Sequence, residues 1–207
     1  AIAPADVRAG VRTLIAVGNG TSKFTSQKDI TLQGRLVMAS DNAKSFLGMN
    51  MNSSEYRGET FAYNGNDLFV GFASTGSRSV FGNFVQSNGA IVSEGLMGGV
   101  LSTGWALTRL ASNKAKLSGG GIKKVGGQEL YAVEYAKKGG GDIDVVLFFD
   151  KETFRHVRTE YKRMSSAGIG SRPEQSTSFS ETRFLLVEEF NDFKAESGLM
   201  LPHSYRV

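Results

Sequence analysis

The chain has 207 residues, 40% of them hydrophobic and 21% charged, the profile of a globular chain and not of a disordered one. It has no cysteine, which excludes disulfides, thiolate chemistry and cysteine-ligated zinc, and no apolar run approaches the roughly 18 residues of a membrane-spanning helix. Its 24 Lys and Arg are scattered among 20 acids for a net charge of +4, without the clustered basic stripe that nucleic-acid binding requires.

One domain over 1–207 is the expected organisation, because β-sandwiches and barrels reach this length without splitting. The chain begins Ala1-Ile2-Ala3-Pro4 without an initiator Met, as expected of a mature product that has lost a signal peptide. From Pro4 to about Val17 a helix is expected. Pro4 suits a first turn, Val7, Val11, Leu14 and Ile15 share a helical face, and Gly18-Asn19-Gly20 would end it. Strand patterns follow, with Ile30, Leu32, Gly34, Leu36 and Met38 alternating with Thr31, Gln33, Arg35 and Val37, and then Leu47, Met49 and Met51. Glu59–Tyr63 and Asn66–Val70 flank Asn64-Gly65, a strong hairpin signal.

From about Ser79 to Ser112 the apolar residues recur at three and four, predicting two or three short buried helices. Asn88-Gly89 breaks them, and Gly95, Gly98, Gly99 and Gly104 loosen them. Helices this apolar must pack on a sheet face. Strands resume at Tyr131, Val133 and Tyr135, then at Ile143, Val145, Leu147 and Phe149. Asp150–Thr153 turns into a strand from Phe154 to Lys162. A loop is expected over Ser165–Ser178, and the final strands over Arg183–Phe190 and Leu199–Val207. The chain stops in strand, so further closing strands are expected beyond it.

Groupings that could carry chemistry are sparse. His156 alternates with Arg158, Glu160 and Lys162 and is expected on a solvent face, and neither it nor His203 sits among ligands at metal spacing. Ser102 lacks the glycine two residues before it that a nucleophile elbow needs, since Val100 stands there. The triplets Gly119–Gly121 and Gly139–Gly141 read as hairpin turns and not as phosphate cradles. Glu188 and Glu189 point to opposite faces of a strand, and Asp142 and Asp144 lie solvated beside a turn. No enzyme and no cofactor is implied.

An apolar interior remains. Leu32, Leu36, Met38, Leu47, Met49, Met51, Phe61, Val145, Leu147 and Phe149 are its sheet candidates, and Leu96, Met97, Leu101 and Trp105 its helical ones. Packed fully, these residues make a core. Packed incompletely, they line an apolar pocket, and methionine suits irregular ligands.

Glu94 to Trp105 (EGLMGGVLSTGW), Phe148 to Tyr161 (FFDKETFRHVRTEY), and Glu189 to Lys194 with Gly198-Leu199 and Leu201-Pro202-His203 are similar to the bacterial outer-membrane lipoprotein-sorting proteins. That group includes the periplasmic lipoprotein carrier and its outer-membrane receptor, and the likeness runs in order over roughly 28–207. It implies a mainly β (α+β) fold: a curved antiparallel sheet forming an unclosed β-barrel, with helices covering the concave face. It also implies a periplasmic address, and a cavity for lipid or lipoprotein acyl chains. The partners it implies are those chains, envelope transport machinery and a peripheral membrane contact. The carrier proper fastens its lid with an arginine on an early strand, and Lys44-Ser45-Phe46 supplies none at the corresponding place.

Overall fold

The protein, seen as a computed structural model, is described over residues 3–25, 29–72, 78–137, 142–165 and 182–207. Two antiparallel sheets make up most of it and neither closes into a barrel, which gives the expected mainly β, unclosed architecture. The strands divide between two compact units: Ile2–Arg109 with Lys194–Leu201, and Leu110–Phe193 with Pro202–Val207.

The first unit opens with a short helix α1 (Ala5–Gly10) and continues into β1 (Thr13–Thr25). The helix expected to run to Val17 therefore stops at Gly10. Val11, Thr13, Ile15 and Val17 are also spaced by two, and β1 pairs with β2 (Asp29–Asp41) without interruption from Thr13↔Asp41 to Thr25↔Asp29. That hydrogen-bonded ladder outweighs a helical period in a segment weakened by Gly18 and Gly20. β3 (Lys44–Met51), β4 (Glu59–Tyr63) and β5 (Leu68–Phe72) complete the order β1-β2-β3-β4-β5. The hairpin at Asn64-Gly65 forms, with a four-residue turn. Gly65 adopts φ +101°, and the Asn64 side chain accepts hydrogen bonds from the Asn66 and Asp67 amides at 2.8 and 2.7 Å.

α2 (Val80–Ser87) and α3 (Ala90–Ser93) follow, broken at Asn88-Gly89 as expected. Two single 3₁₀ turns, Gly99–Leu101 and Ala106–Thr108, complete the cover. The cover folds tightly on itself. A Cβ on Gly95 would lie 1.9 Å from the Gly104 carbonyl oxygen, and Gly95 has φ +73°. Only glycine fits there.

The second unit holds α4 (Leu110–Asn113) and the strands β6 (Ala115–Val125), β7 (Gln128–Lys137), β8 (Ile143–Asp150), β9 (His156–Ser165), β10 (Thr182–Glu196) and β11 (Leu199–Arg206), in the order β11-β10-β9-β8-β7-β6. Gly119–Gly121 is not a turn. It is a bulge inside β6, where the register with β7 shifts between Gly119 and Ile122, and the reversal comes at Gly126-Gly127. Gly139–Gly141 and most of the loop expected over Ser165–Ser178 lie outside the described residues.

At the β8–β9 corner Asp150 accepts from the Thr153 amide at 2.8 Å and hydroxyl at 2.6 Å, which holds its carboxyl below the usual range. Phe154 takes φ +54° in the turn, so the strand starts at His156 and not at Phe154. One face of this sheet carries a small apolar cluster of Leu130, Ala132, Val146 and Phe148.

Candidate functional site

The register of the five-stranded sheet places side chains by parity alone. Met38 is opposite Ala16 and Leu47, Leu36 is opposite Gly18 and Met49, Gly34 is opposite Met51, and Leu47 is opposite Phe61. Leu32, Leu36, Met38, Leu47, Met49, Met51 and Phe61 therefore share one face. Met38, Leu47, Met51 and Phe61 are buried, and Leu32, Leu36 and Met49 are half-buried.

The helices and turns that follow β5 pack on this face. The Phe61 and Phe81 rings meet edge to face at 5.1 Å. Gly98 comes so near that a Cβ there would be 2.7 Å from Met38 Cε, and the Thr103 amide donates to Ser40 Oγ at 2.9 Å. Leu96, Leu101 and Trp105 are buried in the cover, and Met97 is half-buried.

A cleft runs along this seam, with Met38, Leu47 and Phe61 on the sheet side and Val92, Met97 and Leu101 on the cover side. Its volume is about 20 Å³, room for about one water. Of the fourteen residues singled out in the sequence, five line this cleft. Leu32, Leu36, Met49 and Met51 continue the same sheet face, and Leu96 and Trp105 lie within the cover. Val145, Leu147 and Phe149 stand on the other sheet, where Val145 and Leu147 are buried and Phe149 half-buried.

What secures the cover was not singled out from the sequence. Glu59, 1% exposed on β4, accepts from the Ser79 amide at 2.8 Å, the Ser79 hydroxyl at 2.5 Å and the Tyr56 hydroxyl at 2.9 Å. Ser79 Oγ in turn accepts from the Gly82 amide at 2.9 Å, capping α2. A Cβ on Gly82 would lie 2.1 Å from the carboxylate, so the helix start rests directly on the acid. Burial and the neighbouring Glu59 push the Tyr56 hydroxyl well above its ordinary range. Glu59 thus ties α2 to β4 by charge-assisted bonds. The sequence signal was a Ser preceding an apolar helical run, with no mark of the acid twenty residues earlier.

The second unit holds a separate buried polar chain. Glu188 accepts from the Tyr161 and Tyr205 hydroxyls, each at 2.5 Å, and burial raises both tyrosines. Glu189, on the opposite face as expected, pairs with Arg158 at 2.5 Å and with Arg206. His156 is 1% exposed, against the expectation of a solvent face. The physical reason is a register shift: Phe149 pairs with His156 while Phe148 pairs with Arg158, so one extra residue turns His156 away from the face of Arg158. Its Nε2 lies 2.9 Å from Thr159 Oγ1, its ring lies between Phe149 and Phe190, and burial lowers its pKa to about 3. None of these groups lines the cleft. Among the described residues no group of three or more His, Asp or Glu is placed to hold a metal ion, and no helix is long and apolar enough to cross a membrane.

No family model matches the chain, and no curated protein matches its sequence. Two solved structures are similar over most of its length. A putative outer membrane lipoprotein-sorting protein domain from Vibrio parahaemolyticus is 15% identical, with TM-score 0.37, covering 97% of this chain and 88% of that one. A DUF1329 family protein from Desulfovibrio piger is 12% identical, with TM-score 0.34, covering 92% of this chain and 74% of that one.

Proposed function

We propose that this protein is a periplasmic, non-enzymatic binder of lipid or lipoprotein acyl chains, which it takes between the inner face of the five-stranded sheet and its helical cover. The observation that carries this reading is the seam itself: a mainly apolar sheet face, rich in methionine, with short glycine-jointed helices packed on it and a cleft along the contact. Met38, Met49, Met51 and Met97 are unbranched and reshape around irregular ligands. An acyl chain gains about 0.8 kcal/mol for each CH₂ taken from water, and the polar residues lining the cleft are Ser40, Ser45 and Ser102 beside eight apolar ones.

The size of the cleft supports a second reading. At about 20 Å³ it holds no acyl chain as it stands, so ligand must displace the cover. A protein that never opens would be a scaffold or accessory subunit of an envelope complex. Titration with a fluorescent fatty-acid probe separates the two. Saturable binding, weakened at least about tenfold by Met97→Glu, is expected for a binder. No saturable binding, with no lipid detected by native mass spectrometry of protein from its own envelope, leaves the scaffold.

A further inference from the structure

The polar residues of the cleft are not spread along it. Ser40 and Ser45 stand opposite each other in the β2–β3 register, on the face of Met38 and Leu47 and one step nearer the hairpin. Ser102 lines the cleft from the cover at the same end, because the next amide, that of Thr103, donates to Ser40 Oγ at 2.9 Å. Three hydroxyls therefore gather at one end of a lining that is otherwise apolar.

Their hydrogen bonds decide what they can take. A serine hydroxyl has one hydrogen to donate and two lone pairs with which to accept. Ser40 Oγ accepts from Thr103, and Ser102 Oγ accepts from the Gly104 amide at 3.2 Å. Among the described residues neither hydroxyl donates, and Ser45 Oγ makes no hydrogen bond. The adjoining Thr103 Oγ1 is buried without a partner. This end of the seam thus holds hydroxyl hydrogens that lack acceptors, one of them on Ser40, which is 5% exposed. A ligand that supplies the acceptor removes the cost of keeping such groups from water.

None of the residues lining the cleft is charged. The nearest charges in sequence, Asp41 and Lys44, have the opposite strand parity to Ser40 and Ser45 and belong to the other side of the sheet. A carboxylate buried here would have no counter-charge, whereas an ester carbonyl only accepts and brings no charge. From the serines the inner face runs back along β2 to Gly34, roughly 20 Å of strand for a chain to follow. In the other direction Asp41, Asn42 and Lys44 are exposed at the hairpin, where the rest of a large head group can stay in water. We propose that Ser40, Ser45 and Ser102 form a carbonyl-binding end of the cleft, so that the ligand is an esterified fatty acyl chain and not a free fatty acid. The inference rests on the acyl-binding reading above and names the ligand class of that site.

cis-Parinaric acid and its methyl ester, which fluoresce through the same hydrocarbon chain, test this at about pH 8, where the acid is ionised. The acid still binds through its chain, but the ester is expected to bind at least about tenfold more tightly. Methyl stearate should displace the ester about tenfold better than octadecyl methyl ether, which keeps the chain and lacks the carbonyl. Ser45→Ala breaks no hydrogen bond of the fold, and it should weaken the ester about three- to tenfold while leaving the acid unchanged. Displacement by dipalmitoyl phosphatidylcholine or by a diacylglyceryl-cysteine peptide, either of which supports the inference, tells a membrane lipid from an acylated protein as the source of the ester. Equal affinity for ester and acid, or equal displacement by stearate ester and ether, overturns the inference and leaves the binder reading standing. A loss in Ser45→Ala that is the same for ester and acid also overturns it, since the serine then acts on packing alone. Saturable binding of neither probe overturns both readings together.

Discussion

Acid should destabilise this protein through His156 well before most carboxylates are protonated. The ring is buried between Phe149 and Phe190, and burial lowers its pKa from 6.5 to about 3, against a weaker opposing pull from a hydrogen bond with the Arg158 backbone. Because the folded pKa lies below the unfolded one, the unfolded chain binds a proton that the folded chain refuses throughout the interval between them. The stabilisation is fully present above pH 6.5 and is lost as pH falls toward 3, at about 1.4 kcal/mol per pH unit. Between pH 7 and about pH 4.5 the loss from this one side chain is about 2.5 kcal/mol, a large part of a typical folding free energy. Urea denaturation at several pH values in this range, on the wild type and His156→Gln, measures it. The glutamine variant starts less stable, but its stability should fall less steeply, since the remaining slope belongs to the acids. Parallel slopes in the two proteins would refute the reasoning and place a protonated His156 within the folded state.

Two further outcomes follow from the seam. Glu59→Ala removes the acceptor of three hydrogen bonds and leaves the Tyr56 hydroxyl and Ser79 amide without it. A loss of about 3 kcal/mol in chemical denaturation is expected, together with faster uptake of a fatty-acid probe as α2 loosens from β4. Leu101→Ala, on the cover side of the cleft, should lower stability by about 2–5 kcal/mol while raising probe affinity, because it enlarges the space the ligand must open. Loss of both stability and affinity would show that Leu101 is only core.

The inner face of the first sheet was legible because period-2 patterning survives in one sequence. Leu32, Leu36 and Met38 on β2, and Leu47, Met49 and Met51 on β3, could be assigned to one side each, and pairing then made the sides coincide. β1 was hidden by the same logic. Ile15 and Val17 face outward while Leu14, Ala16, Gly18 and Gly20 face inward, so the strand carries apolar groups on both sides and mimics a helical stripe. His156 was misplaced because a bulge shifts parity by one, and a bulge is a property of two strands together. Glu59 was not found because its partner Ser79 is twenty residues away, and neither residue marks the other in sequence. Local alternation reached the lining of the site, while its fastening and the outer face became visible only through long-range pairing.

The position of that fastening bears on how a cleft too small for cargo could work. Glu59 holds the first residues of α2, and Ser40 accepts from Thr103 near the far end of the cover. Between them, the Gly95–Gly99 stretch after α3 has three residues of positive φ within five, Gly95, Gly98 and Gly99. Glycine at such positions gives way with little side-chain penalty, so on the proposed reading a displacement of Val92, Met97 and Leu101 from Met38 and Leu47 would concentrate there and leave both ends held. On the proposed reading, cargo enters by bending the middle of the cover and not by releasing its ends. The Glu59 staple then sets how far the cover yields, which is why removing it is expected to change the rate of uptake.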